Sequence, residues 1–597
     1  GEVRSRYRKA YRILSRAGTG LGLIKISFTP ETPISGLVAW SLQQDGDEYE
    51  VARKQAVDTT NFNDPGLSDL KIRILQIPGV EAGSVIGYEY EQKRRGRVLQ
   101  DIWRFQGRLP VKVSRYTLNL PKRWEHRAVI WNFDDFEPAS IGPNRYTWEL
   151  RDLEAIEVEP GIPTVADRYA TLGLSFIPPT NPTESFLGRV FTTWQDVSVW
   201  YSGLADPQAF SSPEIERKAQ ELTEGKTELI EKLRSLCRFA QKDVRYVAIE
   251  LGQGAYRPRP AGEVLTNRYG DCKDKVTILR AMLRKVGLEA YVVLIRSGSR
   301  QSVVGEFPSP FHFNHVIAAI PLASPPVNWP TVELPGIGSA ILFDPTDDIV
   351  PLGDFPWYLQ GTKALLARGP EGVLFETPLR ASAQNRQLIQ VKARLTPEGN
   401  LSARAVELAW GQPGARERRV FRDRSVEEQQ KILESFLALS LPGAVLGSFG
   451  LHNLTEIEKP VQQAYSFYAP GYAQSVGDLL IFRPKILGLG HREAPRKFDR
   501  DYAIDLRFKS LHTEDYEVEL PAGFEVDELP EPVEVDLPFA VYRSSTEVEG
   551  TRLRYRRVLE WRETRIARSD YSQWARLSSR MAEAESGTVV LKRTSTE

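Results

Sequence analysis

The sequence has few cysteines, no net charge and no long apolar run. Only two cysteines, Cys237 and Cys272, occur in 597 residues. They could form one disulfide, but they are too few for a disulfide framework or a cysteine-rich metal site. Lysine and arginine together number 78, as do aspartate and glutamate, so charge gives no reason to expect nucleic acid or an anionic membrane as a partner. The most apolar stretch, residues 432–451, is interrupted by an acidic residue and a Pro-Gly pair, and we therefore expect no membrane span.

The composition is that of a folded chain with several units. At roughly 150 residues per domain, the length corresponds to about four units. Hydrophobic residues make up 41% and charged residues 26% of the sequence, which excludes a disordered or fibrous chain. The 12 Trp, 22 Tyr and 40 Pro residues favour strands joined by many turns. The chain begins with glycine and shows no signal peptide, which fits a mature form after cleavage as well as an expressed fragment.

Alternating apolar and polar residues predict an N-terminal β-sandwich. Residues 22–28 and 111–120 alternate in this way, and turn signals rich in glycine, proline and aspartate separate such segments. Prolines cluster at 160–163 and 178–182, which indicates a linker. We therefore expect an antiparallel sandwich domain over residues 1–165.

Helical periodicity begins in the middle of the chain. A Ser-Pro pair at 212–213 is typical of a helix cap followed by a first-turn proline. A second helix with a single apolar stripe is predicted after Thr227, and a third over residues 272–286. Short apolar strands follow. We expect residues 166–380 to form an α+β core with a helical lead-in.

The strand pattern returns in residues 381–597. Segments 388–395 and 401–408 predict strands, and a capping box that begins at Ser425 predicts a helix. We expect a β-rich C-terminal region, either undivided or split into two subdomains near residue 500.

The sharpest local motif is Arg-Tyr-Gly-Asp-Cys-Lys-Asp-Lys at 268–275. Asp271 is placed to cap the third predicted helix, and Asp274 lies three residues later, as in a capping box. Cys272 then falls in the first turn of an amphipathic helix, where free backbone N–H groups, the helix dipole and two neighbouring lysines stabilise a thiolate. This is the environment of an activated cysteine nucleophile.

A base and an orienting carboxylate follow in the sequence. His315 begins a predicted strand 43 residues after Cys272, and Asp344 ends another strand 29 residues further on. If the two strands are adjacent and pack against the helix, the imidazole reaches the sulfur and the carboxylate reaches the imidazole, as in a catalytic triad. His312 is a rival base, but in a strand its side chain would point to the opposite face from that of His315.

Ordinary structural roles compete with this interpretation. A lone cysteine on a helix is more often a small core residue, and lone histidines and Asp-Pro-Thr turns are more often structural. Cys237 lies on the apolar stripe of the second predicted helix, and we interpret it as a core residue. On the residues alone, catalysis by Cys272 is one alternative among others.

Three motifs, read in this order, resemble the transglutaminase-like cysteine superfamily: Tyr-Gly-Asp-Cys-Lys-Asp-Lys, Phe-Asn-His-Val and Phe-Asp-Pro-Thr. More narrowly, the chain is similar to bacterial multidomain proteins in which a transglutaminase-like core follows an N-terminal β-sandwich and precedes further β structure. The motifs cover roughly residues 240–350. The resemblance implies Cys272 as nucleophile, His315 as base and Asp344 as the group that orients the base.

The resemblance also implies donors for the oxyanion that forms during acyl transfer. The backbone N–H of Cys272 is one, and the candidate side chains upstream are Tyr246 and Gln253. The tryptophan expected upstream in animal transglutaminases is not evident. The acidic residues after Asp344 lack the alternation and the glycine of a calcium loop, so we expect neither a metal nor another cofactor.

The expected fold is multidomain: an N-terminal antiparallel β-sandwich, a central α+β transglutaminase-like (papain-like) core and C-terminal β-rich domains. The expected activity is acyl transfer or hydrolysis at amide bonds of a protein or peptide substrate, through a thioester on Cys272. The alternative is a non-catalytic binding or structural protein that retains this fold. A papain-type protease fits poorly, because roughly 130 to 150 residues separate its cysteine and histidine. We expect a periplasmic or extracellular location, and the oligomeric state stays open.

Overall fold

Strands dominate both ends of the chain, and a layer of helices occupies the middle. The computed structural model describes residues 2–60, 67–95, 98–159, 161–162, 164–179, 188–250, 252–298, 303–488 and 500–594. The predicted fold class is confirmed: a sandwich region, an α+β core and a β-rich region follow one another along the chain.

The N-terminal region consists of small sheets packed in pairs. Its strands are β1 (Glu2–Arg12), β2 (Leu23–Phe28), β3 (Ile34–Leu42), β4 (Glu48–Ala52), β5 (Val57–Thr60), β6 (Leu67–Ser68), β7 (Lys71–Gln76), β8 (Val85–Arg95), β9 (Gln100–Arg104), β10 (Val111–Asn119), β11 (Glu125–Trp131), β12 (Ala139–Gly142), β13 (Arg145–Leu153) and β14 (Thr171–Ile177). Sheets β1-β8-β3-β4 and β2-β7-β5 bury one apolar core around Leu37 and Leu75. Sheets β10-β13-β12 and β11-β14-β9 bury a second core around Trp148. Alternating residues of β2 and β3 place one face in the first core, whereas β14 is buried on both faces.

Strand β14 carries the N-terminal sheets past the predicted boundary at residue 165. It pairs with β11 on one side and with β9 on the other. Hydrogen bonding of the sandwich region therefore continues to Ile177, between the two proline clusters that we interpreted as a linker. The division of the chain into three parts stays a prediction.

In the described part of the core, five helices pack against one face of a six-stranded antiparallel sheet. Its helices are α1 (Trp194–Ala205), α2 (Pro213–Thr223), α3 (Leu229–Arg238), α4 (Ala261–Asn267) and α5 (Cys272–Leu283). Its strands are β15 (Arg245–Tyr246), β16 (Ile249–Glu250), β17 (Tyr269–Gly270), β18 (Tyr291–Ile295), β19 (His315–Pro321), β20 (Thr331–Leu334), β21 (Gly338–Phe343), β22 (Lys363–Ala367) and β23 (Val373–Glu376). The sheet order is β20-β21-β19-β18-β22-β23. Helices and one sheet face share the largest apolar core, and Phe355 and Leu359 cover the other face.

Local sequence signals explain several helix ends in the core. Ser212 caps α2 by accepting a hydrogen bond from the backbone N–H of Ile215, as the Ser-Pro pair predicts. After α5, a 3-10 turn ends at Gly287, whose φ of 76° requires the left-handed region that favours glycine. Helix α3 ends in a π-helical turn at Phe239–Asp243. Helices α1 and α4 are additional to those predicted.

The C-terminal region is built on one eight-stranded sheet. Its strands are β24 (Arg386–Leu395), β25 (Leu401–Ala409), β26 (Val445–His452), β27 (Val461–Ala469), β28 (Gln474–Val476), β29 (Leu479–Phe482), β30 (Ile504–Asp505), β31 (Ser510–Glu519), β32 (Phe524–Glu528), β33 (Val533–Leu537), β34 (Ala540–Glu549), β35 (Arg552–Trp561), β36 (Arg565–Ile566) and β37 (Val589–Arg593), and its helices are α6 (Gly411–Phe421), α7 (Val426–Ser440) and α8 (Tyr571–Ser586). The order is β26-β27-β25-β24-β31-β35-β34-β33. Strands from both sides of residue 500 therefore share one sheet, through the parallel pair β24 and β31. The predicted capping box of Ser425 begins α7, whereas α6 and α8 are additional to the predicted elements.

Candidate active site

Cys272 is the first residue of a tightly capped helix. The Asp271 carboxylate accepts hydrogen bonds from the backbone N–H groups of Lys273 and Asp274, and Asp274 completes the capping box. A Cβ at Gly270 would lie 2.5 Å from the Cβ of Asp274, so this approach requires glycine. The sequence motif therefore forms a rigid turn that delivers a partly exposed thiol to the positive end of α5.

Helix α5 is buried on all sides rather than amphipathic, which corrects the expectation from its sequence. Every residue from Lys273 to Leu283 is buried. The other core helices cover the side of α5 that carries most of its polar residues. Lys273 forms an ion pair with Asp271. Lys275 donates to the backbone carbonyl of Gln241 at 3.0 Å, and burial lowers the pKa of Lys275 to about 8. The two lysines are thus engaged by partners inside the fold.

His315 and Asp344 meet at the edge of the sheet. Strands β19 and β21 are antiparallel neighbours, with Ala318 opposite Phe343, so the start of β19 and the end of β21 lie together. The Nε2 atom of His315 lies 2.9 Å from Oδ2 of Asp344, and the side chains are 10% and 1% exposed. The other carboxylate oxygen accepts from the backbone N–H of Thr346 at 2.9 Å and from its hydroxyl at 2.7 Å. Both oxygens of Asp344 are therefore held.

Cys272 is the third member of this group. Burial alone would lower the pKa of His315, but the Asp344 carboxylate and hydrogen bonds with Asp344 and Cys272 raise it well above the ordinary value. Burial would raise the pKa of Asp344, whereas the charge of His315 and hydrogen bonds from His315 and Thr346 hold it below the ordinary value. Because Nε2 of His315 faces Asp344, Nδ1 is the ring nitrogen left for the thiol. The structure brings the three sequence-predicted side chains together.

The N-terminal region holds the segment that leads to His315. Gln100 on β9 is fully buried, and its amide donates to the carbonyl of Pro308 at 2.9 Å. Arg127 on β11 donates to the carbonyl of Glu306 at 3.3 Å. Phe307 packs against Trp131, with ring centroids 5.9 Å apart. The sandwich region thus fixes the path of the chain into β19.

The C-terminal region holds the segment that follows Asp344. Arg419 on α6 forms an ion pair with Asp347 at 2.8 Å, and the hydroxyl of Tyr358 donates to the same carboxylate at 2.9 Å. Arg422 pairs with Asp348 at 3.0 Å. A polar cleft of about 480 Å³ opens here, between Thr346 and these charged residues. Its lining residues include the segment that follows Asp344, and Cys272 is not among them.

His312 has a structural environment. It lies in a 3-10 turn, Pro310–His312, rather than in a strand. Its Nε2 faces the carbonyl of Phe307 at 3.0 Å, and burial lowers the pKa of His312 to about 4. A neutral ring in this position supports the loop that precedes His315.

The two cysteines occupy contrasting sites. Both are free thiols, which removes the disulfide that the count allowed. Cys237 is 1% exposed, and burial raises its pKa well above the ordinary value. Its position in the core is the one predicted from the apolar stripe of α3.

The candidate oxyanion donors are placed differently. Tyr246 lies on β15, where it pairs with Gly270 just before the capped turn, and its side chain is 45% exposed. The side chain of Gln253 lies outside the described residues. Sequence reasoning missed Tyr201 on α1, which is 3% exposed. Burial raises the pKa of Tyr201 well above its ordinary value, and the proximity of Cys272 raises it further.

The described residues contain neither a helix that could span a membrane nor a cluster of side chains suited to a metal ion. Within the ranges given above, no helix is long and apolar enough to cross a membrane. In the same part of the chain, no group of three or more His, Cys, Asp and Glu side chains is placed to hold a metal ion.

Family comparisons agree with the order of regions along the chain. Residues 216–319 match the transglutaminase-like superfamily. Residues 1–157 and 478–591 match two domains of unknown function with solved structures, DUF3857 and DUF3858. The predicted resemblance is thereby confirmed: a transglutaminase-like core lies between these two domains. The matched core segment includes Cys272 and His315, and Asp344 lies beyond it.

One solved structure shares the fold of nearly the whole chain. A crystal structure from Parabacteroides distasonis, described as "a putative protease", superposes with a TM-score of 0.66 at 13% sequence identity, over 99% of this chain and 96% of that one. At this identity the similarity shows the shared fold. A second structure, described as "a putative cysteine protease" from Cytophaga hutchinsonii, has a TM-score of 0.18 at 12% identity, over 41% of this chain and 74% of that one. No curated protein matches the sequence.

Proposed function

We propose that the chain is a cysteine-dependent acyltransferase or amide hydrolase, with Cys272 as nucleophile, His315 as base and Asp344 as the orienting group. The observation that carries this proposal is the position of His315, which is hydrogen-bonded to Asp344 and lies close enough to Cys272 for that residue to raise its pKa. A nucleophile, a base and a group that orients the base are the parts that acyl transfer through a covalent intermediate requires.

The raised pKa of His315 favours an imidazolium beside the sulfur. The proposed reaction starts from the thiolate of Cys272, which is the nucleophilic form of a cysteine. The Cys272 sulfur attacks an amide carbonyl carbon, and the carbonyl electrons move to oxygen. The backbone N–H of Cys272 is one donor to that oxyanion. When the carbonyl re-forms, the carbon–nitrogen bond breaks and His315 gives its proton to the leaving amine. A thioester on Cys272 remains.

The thioester can be resolved by water or by a second amine. Water gives hydrolysis, with His315 taking a proton from the attacking water, and an amine gives transfer. A protein or peptide is the substrate that we propose, because its amide carbonyl is the electrophile this chemistry uses. A periplasmic or extracellular location belongs to the same proposal, through the resemblance to bacterial multidomain proteins.

The experiment is a labelling and acylation assay on the full chain. Brief iodoacetamide treatment followed by mass spectrometry should modify Cys272 and spare the buried Cys237, which serves as an internal control. p-Nitrophenyl acetate should acylate Cys272 with a burst of p-nitrophenolate that is absent in Cys272→Ala, and a peptide library should then reveal hydrolysis or amine incorporation. Equal labelling of both cysteines, or an unreactive Cys272, would favour the binding-protein alternative.

A further inference from the structure

A buried glutamine joins the helix that carries Cys272 to the loop that follows Asp344. Gln241 is 5% exposed and lies in the π-helical turn Phe239–Asp243. Its side-chain amide donates to two backbone carbonyls of the loop, those of Asp347 and Val350, both at 2.7 Å. Its own backbone carbonyl accepts from the Lys275 ammonium at 3.0 Å.

These bonds connect three segments that are distant in sequence. Lys275 lies three residues after Cys272, in the first turn of α5, and is 1% exposed. Asp347 lies three residues after Asp344. Each partner is buried, so water does not compete for these groups, and each bond fixes the position of a backbone carbonyl or an ammonium.

The loop in turn fixes the Asp344 carboxylate. One oxygen is held by the backbone N–H and hydroxyl of Thr346, and the other faces His315. If the loop moves, Thr346 moves with it, and the Asp344 carboxylate no longer points at Nε2 of His315. The geometry of the base therefore depends on where the loop sits relative to α5.

The turn that presents Gln241 is itself irregular. Helix α3 leaves its regular geometry at Arg238, and the following five residues form a π-helix. Such turns are rare and occur frequently at functional sites. Here the irregular turn carries a side chain that lies between two elements of the site.

We infer that Gln241 is a positioning residue, which holds the loop of Asp344 in register with the helix of Cys272. The inference rests on the proposed function, because it assigns Gln241 to the support of that site. Gln241 acts through Asp344 and His315.

Gln241→Met tests this role, with Gln360→Met as the matched control. Gln360 is 1% exposed, and its side-chain amide also bonds to the backbone. It donates to the carbonyl of Phe355 at 2.6 Å and accepts from the backbone N–H of Arg380 at 3.1 Å. Both substitutions remove buried amide hydrogen bonds at similar side-chain volume. Their melting temperatures should fall by comparable amounts.

The two variants should differ at the site. Gln241→Met should slow acylation by p-nitrophenyl acetate by about tenfold or more, because a displacement of about 1 Å can cost about a hundredfold. It should also move the alkaline limb of the pH profile for iodoacetamide alkylation to lower pH, since His315 loses part of the partner that raises its pKa. The shift of the alkaline limb in Asp344→Asn gives the largest shift that loss of this partner can produce. Gln360→Met should leave both readouts within about twofold of wild type.

Each outcome decides the assignment. An unchanged alkaline limb in Gln241→Met, with the same loss of melting temperature as in Gln360→Met, overturns the positioning role. If Gln241→Met does not fold, Gln241→Asn keeps a buried amide with a shorter reach and should move the limb in the same direction. If wild-type Cys272 alkylates but is never acylated, the proposed function fails, and the alkylation profile still decides the role of Gln241.

Discussion

The two flanking regions support the two sheet-edge residues of the site by different means. The N-terminal sandwich holds the segment before His315 through a buried amide and an apolar ring contact, at Gln100 and Phe307, and through a bond from Arg127 to an uncharged carbonyl. The C-terminal region holds the segment after Asp344 through ion pairs, at Arg419 and Arg422. Buried neutral contacts are insensitive to salt, whereas partly exposed ion pairs are screened by it. The comparison predicts that the position of His315 does not depend on salt, whereas the position of the Asp344 carboxylate does.

Removing the charge of the orienting group should have the largest effect. In Asp344→Asn the amide can present N–H to Nε2 of His315 and so favour the wrong tautomer of the imidazole. We expect acylation of Cys272 to fall by orders of magnitude while the protein stays folded at the temperature of the assay. Single-turnover acylation and thermal melts measure the two quantities. A loss below tenfold would show that His315 works without its carboxylate.

The same pair predicts a pH window for stability. Folding raises the pKa of His315, so its contribution to stability is complete below the unfolded value of about 6.5 and is lost as the pH rises through the folded value. Folding lowers the pKa of Asp344, so its contribution is present above the unfolded value of about 3.9 and is lost as the pH falls through the folded value. The stability lost in Asp344→Asn should therefore be largest between about pH 4 and 6.5. Urea unfolding from pH 3 to 10 measures it, and a pH-independent loss would contradict the ion pair.

The support of His315 is tested by Gln100→Leu. This change removes the donor to the carbonyls of Pro308 and Phe191 inside the fold. Leaving buried carbonyls unpaired costs about 1 to 3 kcal/mol. We expect a lower melting temperature and slower alkylation of Cys272, with the same deficit at low and high salt. A deficit that depends on salt would break the contrast between the two supports.

The sequence predicts the chemistry of the site better than its support. The capped turn at Cys272 follows from adjacent residues, because capping depends on local spacing. Thr346 could also have been inferred, since an Asp-Pro-Thr segment lets the side chain of Asp344 accept from the residue two positions on. Gln241 and Arg419 have no such signal, since the partners of their side chains are more than 70 residues away in the chain.

The fold class could be predicted because it follows from local patterns in the sequence, whereas the burial of helix α5 could not. Alternation and helical periodicity report which face of an element is apolar, so strands and caps follow from them. Helix α5 carries three charged side chains, Lys273, Lys275 and Arg280, which are expected at the surface from sequence alone. They are buried, and Lys275 and Arg280 find partners on other elements, at Gln241 and at Asp206. Such pairing depends on tertiary packing.

The stronger of the two ion pairs is tested by Arg419→Gln. Asp347 is buried, and burial raises its pKa above the ordinary value. Without Arg419 its carboxylate keeps only neutral donors, Tyr358 and the backbone N–H of Ile349. We expect acylation of Cys272 to slow severalfold, with the largest deficit at low salt. In wild type, 0.5 M salt should reproduce part of this loss, and a salt-independent rate would contradict it.

The weaker ion pair, Arg422 with Asp348, should have the smallest effect on acylation. It lies within one helix turn of Arg419 and so serves as a control for the Arg419 pair. Arg422 divides its guanidinium between Asp348 and Asp423. The side chain of Asp348 is 42% exposed, so water replaces the arginine at little cost, and pairs of this kind contribute about 0 to 1 kcal/mol. Arg422→Gln should therefore leave acylation within about twofold of wild type at every salt concentration. If Arg422→Gln instead slows acylation as much as Arg419→Gln does, then the packing of the whole helix α6 supports the loop. In that case the ion pair with Asp347 does not by itself position the Asp344 carboxylate.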